Sequence, residues 1–317
     1  MDILRKPLIV IAGPTAVGKT SLSVKLAKEI GGEIISADSM QVYKYMDIGT
    51  AKVTKEETQG IKHHLIDVLE PDEEFNINIF QNSAKKSIEE ITQNKKVPIM
   101  VGGTGFYIQS IIYDIDFENT CKDNLYREEL QKEAARSGNE YVHDKLKDID
   151  LVSYNKIHPN NLKRVIRALE YYKETGRPIS VHNEIESKKE SPYNLLFYVL
   201  GMDRELLYER IDRRVDIMIE QGLVEEVQKL KEMGYSEDLV SMKGLGYKEI
   251  YGYLNGEYDL DRAIYILKRD TRHFAKRQIT WFKREKNVRW LNVDDYNMNL
   301  ELISNKMLKD IEELGII

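Results

Sequence analysis

The tightest constraint on how this chain folds is eight residues long. Gly13-Pro14-Thr15-Ala16-Val17-Gly18-Lys19-Thr20 fits the pattern G-x-x-x-x-G-K-[ST]. It lies between an apolar run at 7–12 (PLIVIA) and a helical pattern at 19–30, the strand–turn–helix setting that gives such a match its meaning. Glycines let the backbone curl until consecutive N–H groups point inward at anionic oxygens, and the helix that follows aims its positive dipole end at the same place. Gly13 to Thr20 are therefore the expected diphosphate- or nucleotide-binding residues. Lys19 would reach the terminal phosphate and the Thr20 hydroxyl would hold Mg²⁺. The cradle specifies a di- or triphosphate and leaves the reaction open.

Further apolar runs at 33–38 (EIISAD), 97–102 (VPIMVG) and 195–203 (LLFYVLGMD) are each followed by a loop and a helical pattern. That alternation predicts an α/β fold, a parallel sheet of the P-loop NTPase kind with crossover helices. Ligands in such sheets bind at the carboxyl ends of the strands, which gathers the turn 13–20, Asp38 and the loop 102–105. Between 117 and 192 the chain turns polar, charged and helical in pattern. The expected organisation is a core of 1–116 with 193–317, whose C-terminal part is helical, and a mainly helical insertion at 117–192.

Asp38 ends an apolar strand and precedes Ser39-Met40-Gln41. A carboxylate there can cap the next helix, bind Mg²⁺ through water, or take a proton from a nucleophile; spacing alone leaves all three open. The net charge of −6 argues weakly against nucleic acid, but from Arg262 to Arg289 ten Lys/Arg face only Asp270 and Glu285. Binding to a polyanion depends on such local patches. With a single cysteine, Cys121, there is no disulfide framework and no multi-cysteine zinc site. No run is long enough to span a membrane. A cytoplasmic, monomeric protein is the expectation.

More specific blocks follow. Asp38-Ser39-Met40-Gln41-Val42-Tyr43-Lys44-Tyr45-Met46-Asp47-Ile48-Gly49-Thr50-Ala51-Lys52 closely resembles the signature of bacterial tRNA dimethylallyltransferases. So do His63-His64-Leu65-Ile66-Asp67, Val101 to Tyr107, Ile157-His158-Pro159-Asn160-Asn161 with Arg164, Arg167 and Glu170, Gly246-Tyr247-Lys248-Glu249, and Ala275 to Phe282. The blocks run in family order from residue 13 to about 283. Val53, Asn161 and the stretch 242–245 depart from the usual pattern.

The resemblance implies transfer of a dimethylallyl group from dimethylallyl diphosphate to N6 of the adenosine 3′ of the anticodon, with Mg²⁺ as cofactor and the tRNA anticodon stem-loop as partner. It implies that Asp38 orients and deprotonates the amine while Lys19 and an arginine stabilise the leaving diphosphate. Arg210 and Arg214 share one face of the helical pattern 204–221, and Arg214 is the favoured clamp. Asp38, Ser39, Met40, Gln41, Thr104, Arg127, Lys163, Arg164 and Arg167 match positions that contact RNA. Arg272, Lys276 and Arg277 are expected to add backbone contacts. Whether ATP also binds the cradle is left open. The rivals are an adenylate isopentenyltransferase or small-molecule P-loop kinase, and an RNA-binding ATPase. His63 and His64, adjacent on a strand, point to opposite faces and chelate poorly; Trp281 and Phe282 are read as packing residues.

Overall fold

The computed structural model describes residues 5–117 and 124–316; Cys121 lies outside the described residues. The chain divides into two compact units, one of Met1–Ile112 with Ser191–Ile317 and one of Tyr113–Glu190.

The first unit is built on a parallel sheet. Its strands are β1 (Pro7–Ala12), β2 (Gly32–Ala37), β3 (His63–His64), β4 (Val97–Gly102), β5 (Asn194–Gly201) and β6 (Val288–Asn292), in the spatial order β3-β2-β4-β1-β5-β6. Leu8, Ile9, Val10, Ile11 and Ala12 are all fully buried. Helices cover both faces of the sheet, which is why β1 reads as one apolar run rather than an alternation. On one face Ile9, Ile11 and Tyr198 pack with Leu22 and Leu26 of the helix Lys19–Ile30 and with Ile303, Met307 and Ile311 of the helix Leu300–Glu313. A second cluster joins Val42, Tyr43 and Met46 to Val215, Leu223, Val227, Tyr247 and Ile250.

Two strands were not among the four expected as apolar runs. β3 is two residues long. β6 is an edge strand whose residues Arg289, Trp290 and Asn292 are exposed, so it carries no continuous hydrophobic signal. It closes the sheet by pairing with β5, from Phe197 opposite Val288 to Gly201 opposite Asn292.

The strand order places a switch point between β1 and β4. The chain leaves β1 for β2 on one side, and after β4 it continues on the other side at β5. The turn 13–18, Asp38 and Gly103–Thr104 follow the carboxyl ends of β1, β2 and β4, where a crevice is expected.

The second unit is helical. Leu130, Val142, Leu146, Val165, Ile166 and Leu169 form its core, drawn from the helices Asn124–Ser137, Asn139–Asp144 and Leu162–Thr175.

Candidate active site

The cradle emerges from β1 and ends where Gly18, at φ 104°, turns the chain into the helix Lys19–Ile30. An L-residue with a side chain is strained at that angle, so Gly18 suits a helix entry whose first N–H groups are left for a ligand. Lys19 Nζ donates to Gly13 O at 3.0 Å and to Pro14 O at 2.7 Å, so the ammonium is held over the mouth of the turn. Burial, helped by repulsion from the Arg214 guanidinium and opposed by Asp38, depresses this ammonium to about 7. An anion arriving there would restore its charge. Thr20 is exposed, and its hydroxyl bonds to no other described residue.

The helix Arg204–Glu220 is capped by Asp203, whose side chain accepts from the Glu205 and Leu206 amides. It buries Leu207, Ile211 and Val215, and this stripe sets Arg210 and Arg214 beside each other on the flanking face. Arg210 Nε donates to Ala16 O of the cradle at 2.9 Å. Burial lowers the pKa of Arg214, with Asp38 and Glu57 opposing and Arg210 adding to the effect. The structure thus assembles Lys19, Asp38, Arg210 and Arg214 into one electrostatic group, which sequence spacing alone could not do.

Asp38 does not cap a helix, which removes one of the alternatives the sequence left open. The next helix, Lys55–Thr58, has its own cap in Thr54. Instead Asp38 Oδ1 accepts the Met40 N–H at 2.9 Å in a tight turn. That bond fixes the carboxylate, and its second oxygen has no hydrogen-bond donor among the described residues.

The loop after Asp38 is anchored by residues that the motif contains but whose roles it does not reveal. Lys52, 9% exposed, donates to Tyr43 O at 2.8 Å, Asp47 Oδ1 at 2.5 Å and Asp67 Oδ1 at 2.6 Å. Glu226 accepts the N–H groups of Asp47, Ile48 and Gly49 at 3.0, 2.7 and 3.1 Å, and the Tyr247 hydroxyl at 2.7 Å. Glu226 was not singled out from the sequence, because its partners, three backbone amides and the Tyr247 hydroxyl, are distant in the chain.

The other expected contact residues divide into two groups. Gln41 is spent on its own loop, accepting from Ser36 Oγ and donating to the Thr50 and Ala51 carbonyls. Met40 packs against Gly244, where a Cβ would lie 2.5 Å from its methyl carbon. Thr104 N–H donates to Ala37 O at 3.3 Å, tying the loop after β4 to the end of β2, and its carbonyl accepts from Tyr107 and Ile108. Ser39 is half-buried. In the second unit Arg127 makes a two-pronged pair with the buried Glu170, both bonds 2.8 Å, so the residue expected to touch RNA also staples two helices together. Lys163 and Arg164 are exposed, whereas Arg167 is half-buried. Arg272 pairs with Asp212, and Lys268 pairs with Asp216 at 2.5 Å. Lys276 and Arg277 remain exposed beside Thr280, Trp281 and Arg284 along one face of the helix Leu260–Phe282, lining a shallow groove of about 390 Å³.

Phe282 is fully buried against Phe197, and Trp281 packs edge-on against Phe106 at 6.2 Å. His63 bonds to Ile61 O and His64 to Glu33, each through one ring nitrogen.

A family model described as IPP transferase matches residues 41–285. The chain is 58% identical to a tRNA dimethylallyltransferase of Lachnoclostridium phytofermentans over 98% of its own length and 99% of the relative's. The crystal structure of the full-length tRNA isopentenylpyrophosphate transferase from Bacillus halodurans shares 46% identity and a TM-score of 0.74, covering 98% of each chain. A eukaryotic dimethylallyltransferase, captured acting on tRNA, shares 30% identity and a TM-score of 0.83 over 96% of this chain and 80% of its own. With a family match over most of its length and relatives this similar end to end, the chain belongs to the tRNA dimethylallyltransferase (IPP transferase) family.

Proposed function

We propose that this protein transfers a dimethylallyl group from dimethylallyl diphosphate to N6 of the adenosine 3′ of the anticodon in tRNA. The observation that carries the reading is the grouping of Lys19, Arg214 and Asp38 at the carboxyl ends of β1 and β2. It puts two cations for a leaving diphosphate beside one carboxylate for an amine.

An exocyclic adenine amine is a weak nucleophile, because its lone pair is delocalised into the ring. The allylic C1–O bond therefore has to loosen as the C1–N6 bond forms, and stabilising the departing diphosphate is the main task. The N–H groups of the turn, Lys19 and Arg214 supply that stabilisation. Asp38, fixed through Met40 N–H, uses its other oxygen to accept the N6 hydrogen bond and then the proton. The products are N6-dimethylallyladenosine, diphosphate and a protonated Asp38 that returns its proton to water.

Mg²⁺ fits this site as a substrate-borne ion. Such ions bind mainly phosphate and water, with one or two protein oxygens, and the exposed Thr20 hydroxyl is one such oxygen. No group of three or more His, Cys, Asp or Glu placed to hold a metal ion is present among the described residues. When bound, Mg²⁺ would neutralise charge on the leaving diphosphate.

The target base cannot reach the cradle while stacked in the stem-loop, so it is flipped out, with Ser39 and Thr104 available to its edges. Lys163, Arg164, Lys276 and Arg277 are the exposed cations that suit RNA phosphates. Arg127, Arg167 and Arg272 contribute through the edges left beside their internal contacts. The protein works as a monomer in the cytoplasm; no helix among the described residues is long and apolar enough to cross a membrane.

The test is nucleoside mass spectrometry after incubation with Mg²⁺, dimethylallyl diphosphate and either unmodified tRNA or AMP. Prenylated adenosine in tRNA is the expected result. Prenylated AMP with unmodified tRNA, or ATP turnover with no prenyl incorporation, would refute it.

A further inference from the structure

Gln278 lies on the helix Leu260–Phe282 and is 6% exposed. Its Oε1 accepts the Thr15 N–H at 3.0 Å, and its Nε2 donates to Gly103 O at 3.0 Å. A carboxamide offers acceptor and donor on one planar head, so this single side chain bridges the cradle after β1 and the loop after β4. Those strands flank the switch point. The fit is close: a Cβ at Gly103 would lie 2.0 Å from Gln278 Nε2 and 3.3 Å from Gly13 O. One turn further on, Trp281 closes over Gly105, where a Cβ would fall 2.2 Å from Cδ1 of the indole. Between them Thr104 is tied to Ala37 O. The segment 103–105 is therefore held on one side by the end of β2 and on the other by this helix.

We infer that Gln278 is a positioning residue for prenyl transfer, setting the distance between the diphosphate cradle and the loop that carries Thr104. The inference rests on the functional reading above. The allylic carbon is placed through its diphosphate on one loop, and the adenine is placed by Asp38 and the other. Reaction needs the two atoms about 3–3.5 Å apart, and a displacement of about 1 Å can lower the rate about 100-fold. Each reactant's affinity depends on its own loop, whereas the rate depends on the separation that Gln278 fixes.

The test compares wild type, Gln278→Met, Gly103→Ala, and Gly103→Ala in a Gln278→Ala background. Four quantities are measured: affinity for inorganic pyrophosphate, affinity for an anticodon stem-loop RNA, single-turnover transfer rate, and amide hydrogen exchange over 13–18 and 102–107. Gln278→Met is expected to transfer about 10–100-fold more slowly, with both affinities within about threefold of wild type and faster exchange in both segments. Gly103→Ala must displace the Gln278 amide and should show a similar loss. In the Gln278→Ala background it should add little, since no amide remains to be displaced.

Transfer by Gln278→Met at the wild-type rate, unchanged exchange, or losses that multiply in the double variant overturn the inference. So does a variant that only melts earlier while keeping its rate at permissive temperature. Should Gln278→Met not fold, Gln278→Glu keeps an acceptor for Thr15 and loses the donor to Gly103. Slow exchange at 13–18, fast exchange at 102–107 and a reduced rate then support the inference, and a wild-type rate overturns it. Wild-type protein inert toward tRNA instead sinks the functional reading, which separates the two failures.

Discussion

Replacing Glu226 with alanine tests whether the loop that presents Asp38 is held from behind. The carboxylate carries four hydrogen bonds, three from consecutive amides of Asp47, Ile48 and Gly49 and one from the fully buried Tyr247. A bond to a charged group is worth about 1.5–3 kcal/mol, but the Asp47 amide is near solvent and the other three bonds are only part-buried, so water replaces much of what is lost and the net loss should be about 3–5 kcal/mol. For a folded unit of this size about 2–4 °C of melting temperature follows each kcal/mol, which gives a drop of roughly 6–20 °C. Glu226→Gln keeps one acceptor oxygen yet turns an NH₂ toward amide donors, and should lose about half as much. The assay is a thermal melt followed by calorimetry, paired with single-turnover transfer at a temperature where both proteins are folded. Loosening the loop should also slow transfer about tenfold or more, because alignment at the reacting atoms is what the loop provides. A shift under about 2 °C with an unchanged rate would show that the network around Glu226 supports nothing, and the reasoning fails.

Other substitutions separate support from contact. Lys19→Met removes a cation from the leaving diphosphate and should reduce the rate about 10²–10³-fold while tRNA affinity, read by filter binding, stays put; an unaffected rate contradicts the role given to the cradle. Arg127→Ala removes a two-pronged ion pair from the buried Glu170, so it should lower the melting temperature, whereas the exposed Arg164→Ala should weaken RNA binding and flatten its salt dependence without a thermal effect. The reverse pattern would exchange their roles. Asp310 is buried, which raises its pKa, but bonds from Lys306, Arg289 and Tyr198 outweigh that and hold it below the ordinary carboxylate range. Its stabilising contribution is present above the unfolded value, about 4, and is lost as the pH falls through the lower folded value. Asp310→Asn should therefore melt earlier at neutral pH and lose less on acidification than wild type.

What the sequence disclosed and what it hid follow from the range of the interactions. Strands β1 and β4 and the cradle are local, written as an apolar run or an eight-residue pattern, and can be read from adjacent residues. β6 could not be read so, because an edge strand with Arg289 and Trp290 exposed has no hydrophobic period. Asp38 was ambiguous because caps, metal ligands and bases share one residue type; the Met40 turn and the lack of a helix directly after it exclude the cap alone. The ion pair of Arg272 could not be read because its partner Asp212 is sixty residues away. Gln278 was hidden among basic neighbours, since Thr15 lies 263 positions earlier. Lys52 and Glu226 belong to the same class: the motif around them was legible, but the partners that explain it were not.

The measurement that bears most directly on the account is single-turnover prenyl transfer to an anticodon stem-loop by Asp38→Asn, with dimethylallyl diphosphate affinity determined alongside. Asparagine can keep the bond to Met40 N–H through its carbonyl but cannot take a proton. The rate should fall about 10²–10⁴-fold while the diphosphate binds as in wild type. A variant that transfers the prenyl group at full speed would show that this carboxylate has no part in the chemistry.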